Sequence, residues 1–214
     1  MPKGYEHPDE ARLERFGRTV TSLPDIWDEL AEWWLVKRAG ANTPNWDLAL
    51  ECEIEGRGGL VLVEAKANER ELSSAGKPAA KHASANSRAN HARIGVAISE
   101  ASAALQVKFP ETRLAINAHY QLANRMAFAW KLANLGIPTV LIYLGFTGDA
   151  GIADAGVPFR DHQHWHDHFS AHLAQVAPIT MAEQRIDCGA APFWLLTRSR
   201  NVLEQSPART PRTT

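Results

Sequence analysis

The sequence predicts an α/β domain in which a central mixed β-sheet carries helices on both faces. Three observations point there. Across residues 46–54, large apolar residues alternate with Asp47, Ala49, Glu51 and Glu53, the period of a strand with one buried face. The glycine-rich stretch 55–59 then turns the chain, and residues 60–65 are continuously apolar except at Glu64, as in a strand covered on both faces. Two helical stretches and a second continuous apolar run at 139–146 follow. A hairpin, helices and then a buried strand make an α/β sheet sandwich.

Taken in order, residues 10–16 have the spacing of a short helix. A stronger one starts around residues 21–25, with Ser22 as the capping oxygen, Pro24 in the first turn and acids near the positive helix end. It is expected to run to about Lys37 and stop at Gly40, with Ile26, Leu30, Trp33 and Trp34 as its core-facing stripe. After the hairpin, residues 73–80 are small and flexible, a loop or lid. Residues 86–105 place Ile94, Ala97, Ile98, Ala101 and Leu105 at helical spacing before Phe109-Pro110 breaks the run. A second strong helix spans 118–135 and ends at Gly136. Trp165, Phe169, Leu173 and Val176 mark a further helix, and residues 193–196 read as a late strand at a sheet edge. One domain is expected over residues 1–203, with its core at about 22–146, a C-terminal helix and strand at about 160–200, and a disordered tail at 204–214.

At 214 residues the chain is long enough for one sheet with helices on both faces, and 45% hydrophobic with 22% charged residues is an ordinary globular balance. No apolar run approaches the roughly 18 residues of a membrane helix, and the first residues lack a signal peptide's apolar core. No membrane association and a cytoplasmic location are therefore expected. Cys52 and Cys188 are too few for a disulfide framework or a zinc knuckle, and both are read as buried thiols.

Glu64 is the anomaly in this pattern. A carboxylate inside a sheet is costly unless a cation or hydrogen bonds compensate it. Glu64 and Lys66, two apart on a strand, share a face. With a turn centred near Arg57, Asp47 falls roughly across from Lys66 and Ala67, so Asp47, Glu64 and Lys66 converge at the open end of the hairpin. Two carboxylates aimed at one point suit Mg²⁺, and a lysine beside them can orient or deprotonate a water or offset charge building on a phosphate. The plain alternative is a structural Glu/Lys pair at a strand end.

Asp47, followed by Glu64-Ala65-Lys66 closing an apolar strand after a hairpin turn, resembles the PD-(D/E)xK nuclease superfamily and its restriction-endonuclease-like fold. The family's proline-aspartate is matched only loosely, since Pro44 lies three residues before Asp47. The resemblance implies metal-dependent hydrolysis of phosphodiester bonds, in DNA rather than RNA, with Mg²⁺ or Mn²⁺ held by Asp47, Glu64 and the backbone carbonyl of Ala65, and with Lys66 serving the water. It further implies a glutamate from the first helix near the metal, for which Glu29 is the candidate. A Gln-bearing helix after the E-x-K strand is also implied. Gln121 and Arg125, four apart on one helix face, match it as groups that hold substrate or the lysine, or else bond their surroundings at a helix terminus. The same fold also serves inactive nucleic-acid-binding or regulatory modules. With one site per chain, cutting both strands requires a homodimer or rebinding.

The net charge of −1 is unlike that of a tight nonspecific nucleic-acid binder. Locally, however, Lys66, Arg70, Lys77, Lys81, Arg88 and Arg93 outnumber Glu69 and Glu71, which makes Lys77, Lys81 and Arg88, with Arg125, candidates for phosphate contact; the alternative is a solvated loop. His162, His164, His166, His168 and His172 give i, i+4 pairs on a helix, a spacing that can hold zinc. The His-Glu-x-x-His pattern and a nearby cysteine pair are absent from the sequence, so a polar helix face is the expected reading.

Overall fold

The computed structural model describes residues 10–13, 24–36 and 41–202. Strand β1 (Ala11–Arg12) pairs antiparallel with β2 (Asn45–Trp46) in a small separate sheet. Helix α1 (Pro24–Trp34) lies between them in sequence. Strands β3 (Leu48–Ile54) and β4 (Arg57–Lys66) form the hairpin, followed by helices α2 (Ala85–Gln106) and α3 (Tyr120–Asn134), strand β5 (Thr139–Thr147), helix α4 (His162–Leu173), and strands β6 (Arg185–Asp187) and β7 (Pro192–Asn201). The main sheet has the order β3-β4-β5-β7-β6, with β4/β5 and β5/β7 parallel and both outer pairs antiparallel. This is a five-stranded mixed sheet of the α/β class.

Several expectations change. Ala11 and Arg12 form a strand where a short helix was predicted, and Ser22, Lys37 and Gly40, the predicted cap and end of α1, lie outside the described residues, as does the tail from Glu204. The last strand is not an edge: β7 runs to Asn201 between β5 and β6. The hairpin turn is tighter than its glycine-rich sequence suggested. Glu55 and Gly56 alone turn the chain, both at positive φ (52° and 74°), the two-residue geometry that matches strand twist. Gly58 and Gly59 belong to β4, and a Cβ at Gly59 would lie 2.6 Å from the Pro138 carbonyl oxygen, the acceptor for Leu60 N–H at 2.9 Å.

Among the described residues the sheet is covered unequally, where helices on both faces were predicted. In β5, residues 139, 141, 143, 145 and 147 are buried and those between are half-buried. Both helices packed on the sheet use that buried face. The Tyr143 ring is 4.9 Å from Phe169 of α4, and Gln121 and Arg125 of α3 bond to Glu64, the register partner of Tyr143. The opposite face presents Leu48, Leu50, Val61, Val140, Ile142 and Leu196, all half-buried. The large apolar residues of β3, Cys52 among them, point to that side, and Ala49 is the strand's buried residue. The sequence alternation identified a strand but not which side the helices occupy.

Helix α3 is buried on every side from Leu122 to Ala133, as a helix must be when it lies between a sheet and a second helical layer. Its outer side meets α1, with Trp34 and Phe128 edge to face at 4.8 Å. Helix α2 is tied to α1 by Trp33 Nε1 donating to Glu100 at 2.9 Å, and is capped by Ser84, whose side chain accepts from Ser87 N–H. Residues 73–80 are pinned rather than free: Lys77 N–H donates to Ile116 O at 2.7 Å, and Gly76 is pressed against the Asn117 backbone. No helix among the described residues is long and apolar enough to cross a membrane.

At Gly145 the sheet and α4 meet closely, since a Cβ there would fall 2.3 Å from Trp165 Cδ2. Gly145→Ala is expected to destabilise the protein by about 3 kcal/mol, the upper part of the range for overpacking, as read from the urea midpoint; a loss under about 0.5 kcal/mol would mean that Trp165 repacks freely.

Candidate functional site

Glu64 and Lys66 project from β4 toward the helices and are only 3% and 7% exposed. A buried carboxylate must find its compensation within the fold, and α3 supplies most of it. Glu64 Oε1 accepts from Lys66 Nζ at 2.5 Å and from Gln121 Nε2 at 2.7 Å, and Oε2 accepts from Arg125 Nε at 2.6 Å. Gln121 and Arg125 reach one carboxylate because they are one helical turn apart. Arg125 is held in turn: its Nη1 donates to Asn124 Oδ1 at 2.9 Å, and its guanidinium lies over the Trp46 ring, 4.7 Å from the centroid.

Asp47 occupies the bend between β2 and β3, directly opposite Glu64 in the hairpin register that pairs Leu48 with Val63. The tight Glu55-Gly56 turn produces this pairing, whereas a turn centred on Arg57 would have set Asp47 against Lys66 and Ala67. Asp47 Oδ2 accepts from Ala65 N–H at 2.7 Å, which ties the aspartate to the strand that carries Glu64. Burial raises the pKa of Asp47; the Ala65 N–H opposes this, and the neighbouring Glu64 and Glu10 carboxylates add to it, with Lys66 acting the other way. Tyr143 is fully buried, its pKa pushed up by burial and then by Glu64, and its hydroxyl has no hydrogen-bond partner among the described residues.

Two groups near this cluster were not anticipated. Continuing the β1/β2 register, in which Ala11 meets Trp46, sets Glu10 opposite Asp47. Only strand pairing could reveal that. On the other side of Lys66, His119 Nδ1 and His172 Nδ1 are 3.3 Å apart, brought together from the residue before α3 and the last turn of α4. Burial, His119 and then Lys66 lower the pKa of His172 from the ordinary 6.5 to about 4, leaving it neutral at neutral pH. The i, i+4 histidine pattern pointed to partners within α4, not to His119.

The remaining candidates separate. Glu29 faces solvent on α1, 62% exposed, and its partner is Lys131 at 3.5 Å, so it does not join the Glu64 cluster. Arg125, expected to meet phosphate, is buried and its Nε donates to Glu64. Lys81 is exposed. Lys77 and Arg88, with His91, line a cavity of about 540 Å³ beside the start of α2. Lys77 Nζ contacts Tyr120 Oη at 3.2 Å, and Tyr120, Gln121 and Arg125 line a second cavity of about 360 Å³. The lysine–tyrosine contact thus stands between a basic cavity and one bounded by two of the groups that hold Glu64.

Two measurements probe this cluster. Arg125→Ala leaves Glu64 buried without its guanidinium and should cost about 3–5 kcal/mol in urea unfolding; a cost below about 1 kcal/mol would show that the pair contributes little. Because His172 has a lower pKa folded than unfolded, the unfolded chain takes up its proton first as pH falls, and stability from this group declines between about 6.5 and about 4. His172→Gln should therefore lose less stability than the parent between pH 7 and pH 5, and identical pH slopes in the urea midpoint would contradict that linkage.

No family model, curated protein or solved structure matches this chain, so the chemistry of the site has to be read from its own atoms.

Proposed function

We propose that this protein is a metal-dependent nuclease of restriction-endonuclease-like fold, hydrolysing phosphodiester bonds in DNA. The observation that carries the reading is Asp47 opposite Glu64 across the hairpin, with Lys66 on the same carboxylate and Gln121 and Arg125 bracing it from α3. The strand order β3-β4-β5-β7-β6, with the acid-bearing β4 inside the sheet, supports the fold assignment.

The donors fit a hard divalent cation, Mg²⁺ or Mn²⁺, at Asp47 and Glu64. They are carboxylate oxygens, the ligands such ions prefer. Among the described residues the one hydrogen bond of Asp47 is that from Ala65, and burial, with the neighbouring Glu64 carboxylate, raises its affinity for a proton. Glu64 accepts three hydrogen bonds against about four lone-pair sites on a carboxylate, so Oε2 retains room for one more partner. The orphaned Tyr143 hydroxyl beside Glu64 also leaves a buried polar atom for a ligand or water to satisfy. When bound, the cation would supply Lewis-acid stabilisation of charge on the phosphate.

The protein's own contribution is positioning and charge. Lys66 offsets negative charge developing on the phosphate or orients the attacking water, and its ammonium is held in place by Glu64. Gln121 and Arg125 fix the rotamer of Glu64, so the carboxylate is organised before substrate arrives. Lys77, Lys81 and Arg88 give the phosphate backbone a basic approach past Tyr120.

A second reading, an inactive nucleic-acid-binding or regulatory module, is favoured by one feature. Glu64 is already neutralised by Lys66 and Arg125, an arrangement that needs no metal to be stable. The two readings part at a single experiment. Under the nuclease reading, Mg²⁺ or Mn²⁺ raises the melting temperature, because a ligand of the folded state alone stabilises it by about 2.7 kcal/mol at one hundred times its Kd. Asp47→Asn shrinks that shift, while Lys66→Ala keeps it and abolishes cleavage of plasmid or linear DNA. Absence of both a thermal shift and divalent-dependent cleavage of any DNA or RNA would reject the nuclease; a shift without cleavage would favour the inactive module.

A further inference from the structure

The histidines of α4 do more than present a polar face. His164 and His168, one turn apart, both direct Nε2 at Oε1 of Glu69, at 3.1 Å and 3.6 Å. One ligand atom from each of the three residues lies within 4.8 Å of those of the other two. A tetrahedral zinc ion with bonds of about 2.0–2.2 Å requires neighbouring ligand atoms about 3.3–3.5 Å apart, and the two measured separations fall on either side of that spacing.

The carboxylate is delivered by a braced segment. Glu69 N–H donates to Val157 O at 3.0 Å. Asn68 beside it is 3% exposed, caps the following turn by accepting from Arg70 N–H at 3.1 Å, and donates to Glu71 at 2.6 Å. Gly156 closes over Asn68 so tightly that a Cβ would meet its Oδ1 at 2.6 Å. On the helix side, Asp161 caps α4 and the His164 and His168 rings pack at 4.5 Å, edge to face. The His164 side chain is 11% exposed while those of Glu69 and His168 are 31% and 39% exposed, so the cluster is partly desolvated yet open to water on one side.

We propose that Glu69, His164 and His168 form a zinc site with a solvent molecule as fourth ligand, on residues distinct from Asp47 and Glu64. Two imidazoles and one carboxylate are a donor set for zinc and not for Mg²⁺, which takes oxygen. Three protein ligands leave one coordination position open, the form that zinc takes where its bound water is accessible. The proposal is independent of the nuclease reading. Arg160 N–H donates to His164 Nδ1 at 3.1 Å, so the neutral ring carries its proton on Nε2, facing Glu69. Zinc takes the place of that proton: it passes from Nε2 to Nδ1, and the contact from Arg160 lengthens. His168 has no such competitor among the described residues. Bound zinc would join the chain just after Lys66 to α4, and so stiffen the exit of the strand that carries Glu64.

The test is titration of metal-free, untagged full-length protein with Zn²⁺ alone, followed by calorimetry and elemental analysis after dialysis. One zinc equivalent should survive Asp47→Asn and be lost in the double variant His164→Ala with His168→Ala. Glu69→Gln and the milder His168→Ala should each weaken it at least tenfold, and Co²⁺ in its place should give the visible absorption of a tetrahedral ion. His168→Ala alters a ring that is well exposed, so the comparison survives if the double variant fails to fold. Failure to bind one equivalent, binding that is unchanged in Glu69→Gln and His168→Ala, or zinc lost with Asp47→Asn would overturn the proposal.

Discussion

A carboxylate buried in a β-sheet sets the terms for the rest of this structure. Glu64 at 3% exposure is tolerable because Lys66, Gln121 and Arg125 converge on it; an uncompensated charge in that position would cost several kcal/mol. That requirement constrains a whole helix. Arg125 can reach Glu64 only if α3 lies against the sheet at this height, so the most buried helix carries an arginine among its alanines and aromatics. Trp46 covers the guanidinium from the far side, linking the small β1/β2 sheet to the same charge cluster.

A second constraint is the hairpin register. Asp47 meets Glu64 because two residues, not five, make the turn, and the β1/β2 pairing then brings Glu10 opposite the same aspartate. Acids on separate segments are concentrated at one point, but they are compensated unequally: Lys66 and Arg125 are buried and bonded to Glu64, and Asp47 is left half-buried with a raised proton affinity. The asymmetry is what gives the cluster chemical interest, since among the described residues Glu64 accepts three side-chain hydrogen bonds and Asp47 accepts one, from a backbone N–H. It also explains why two functional readings can be drawn from the same residues.

The unequal sheet shapes how the site is reached. With α3 and α4 on one face, the helical groups that bond Glu64 among the described residues come from that side, and the sequence between β4 and α3 lines the two cavities. Gly145 lets Trp165 approach the sheet and so brings α4 close enough for His172 to sense Lys66. The other face, with Leu50, Val61, Val140 and Ile142 half-buried, takes no part in the cluster.

Much of this was legible in the chain itself. Local patterns determined the α/β class, the hairpin, α2 from about residue 86 to its break before Phe109-Pro110, α3 up to Gly136, and β5, because period and turn chemistry act over a few residues. Glu64 stood out for the same reason, as a charge in an apolar run, and it led to Asp47, Lys66 and Gln121. What only the tertiary structure decided are matters of long-range placement: that Arg125 serves Glu64 and not a surface, that Glu29 points to Lys131, that Glu10 stands opposite Asp47, and that Glu69 meets His164 and His168. A residue's own neighbours say whether it lies on a strand or a helix. They do not say which face that element turns inward or which distant segment it meets, because pairing register and helix placement are set by packing across the whole core.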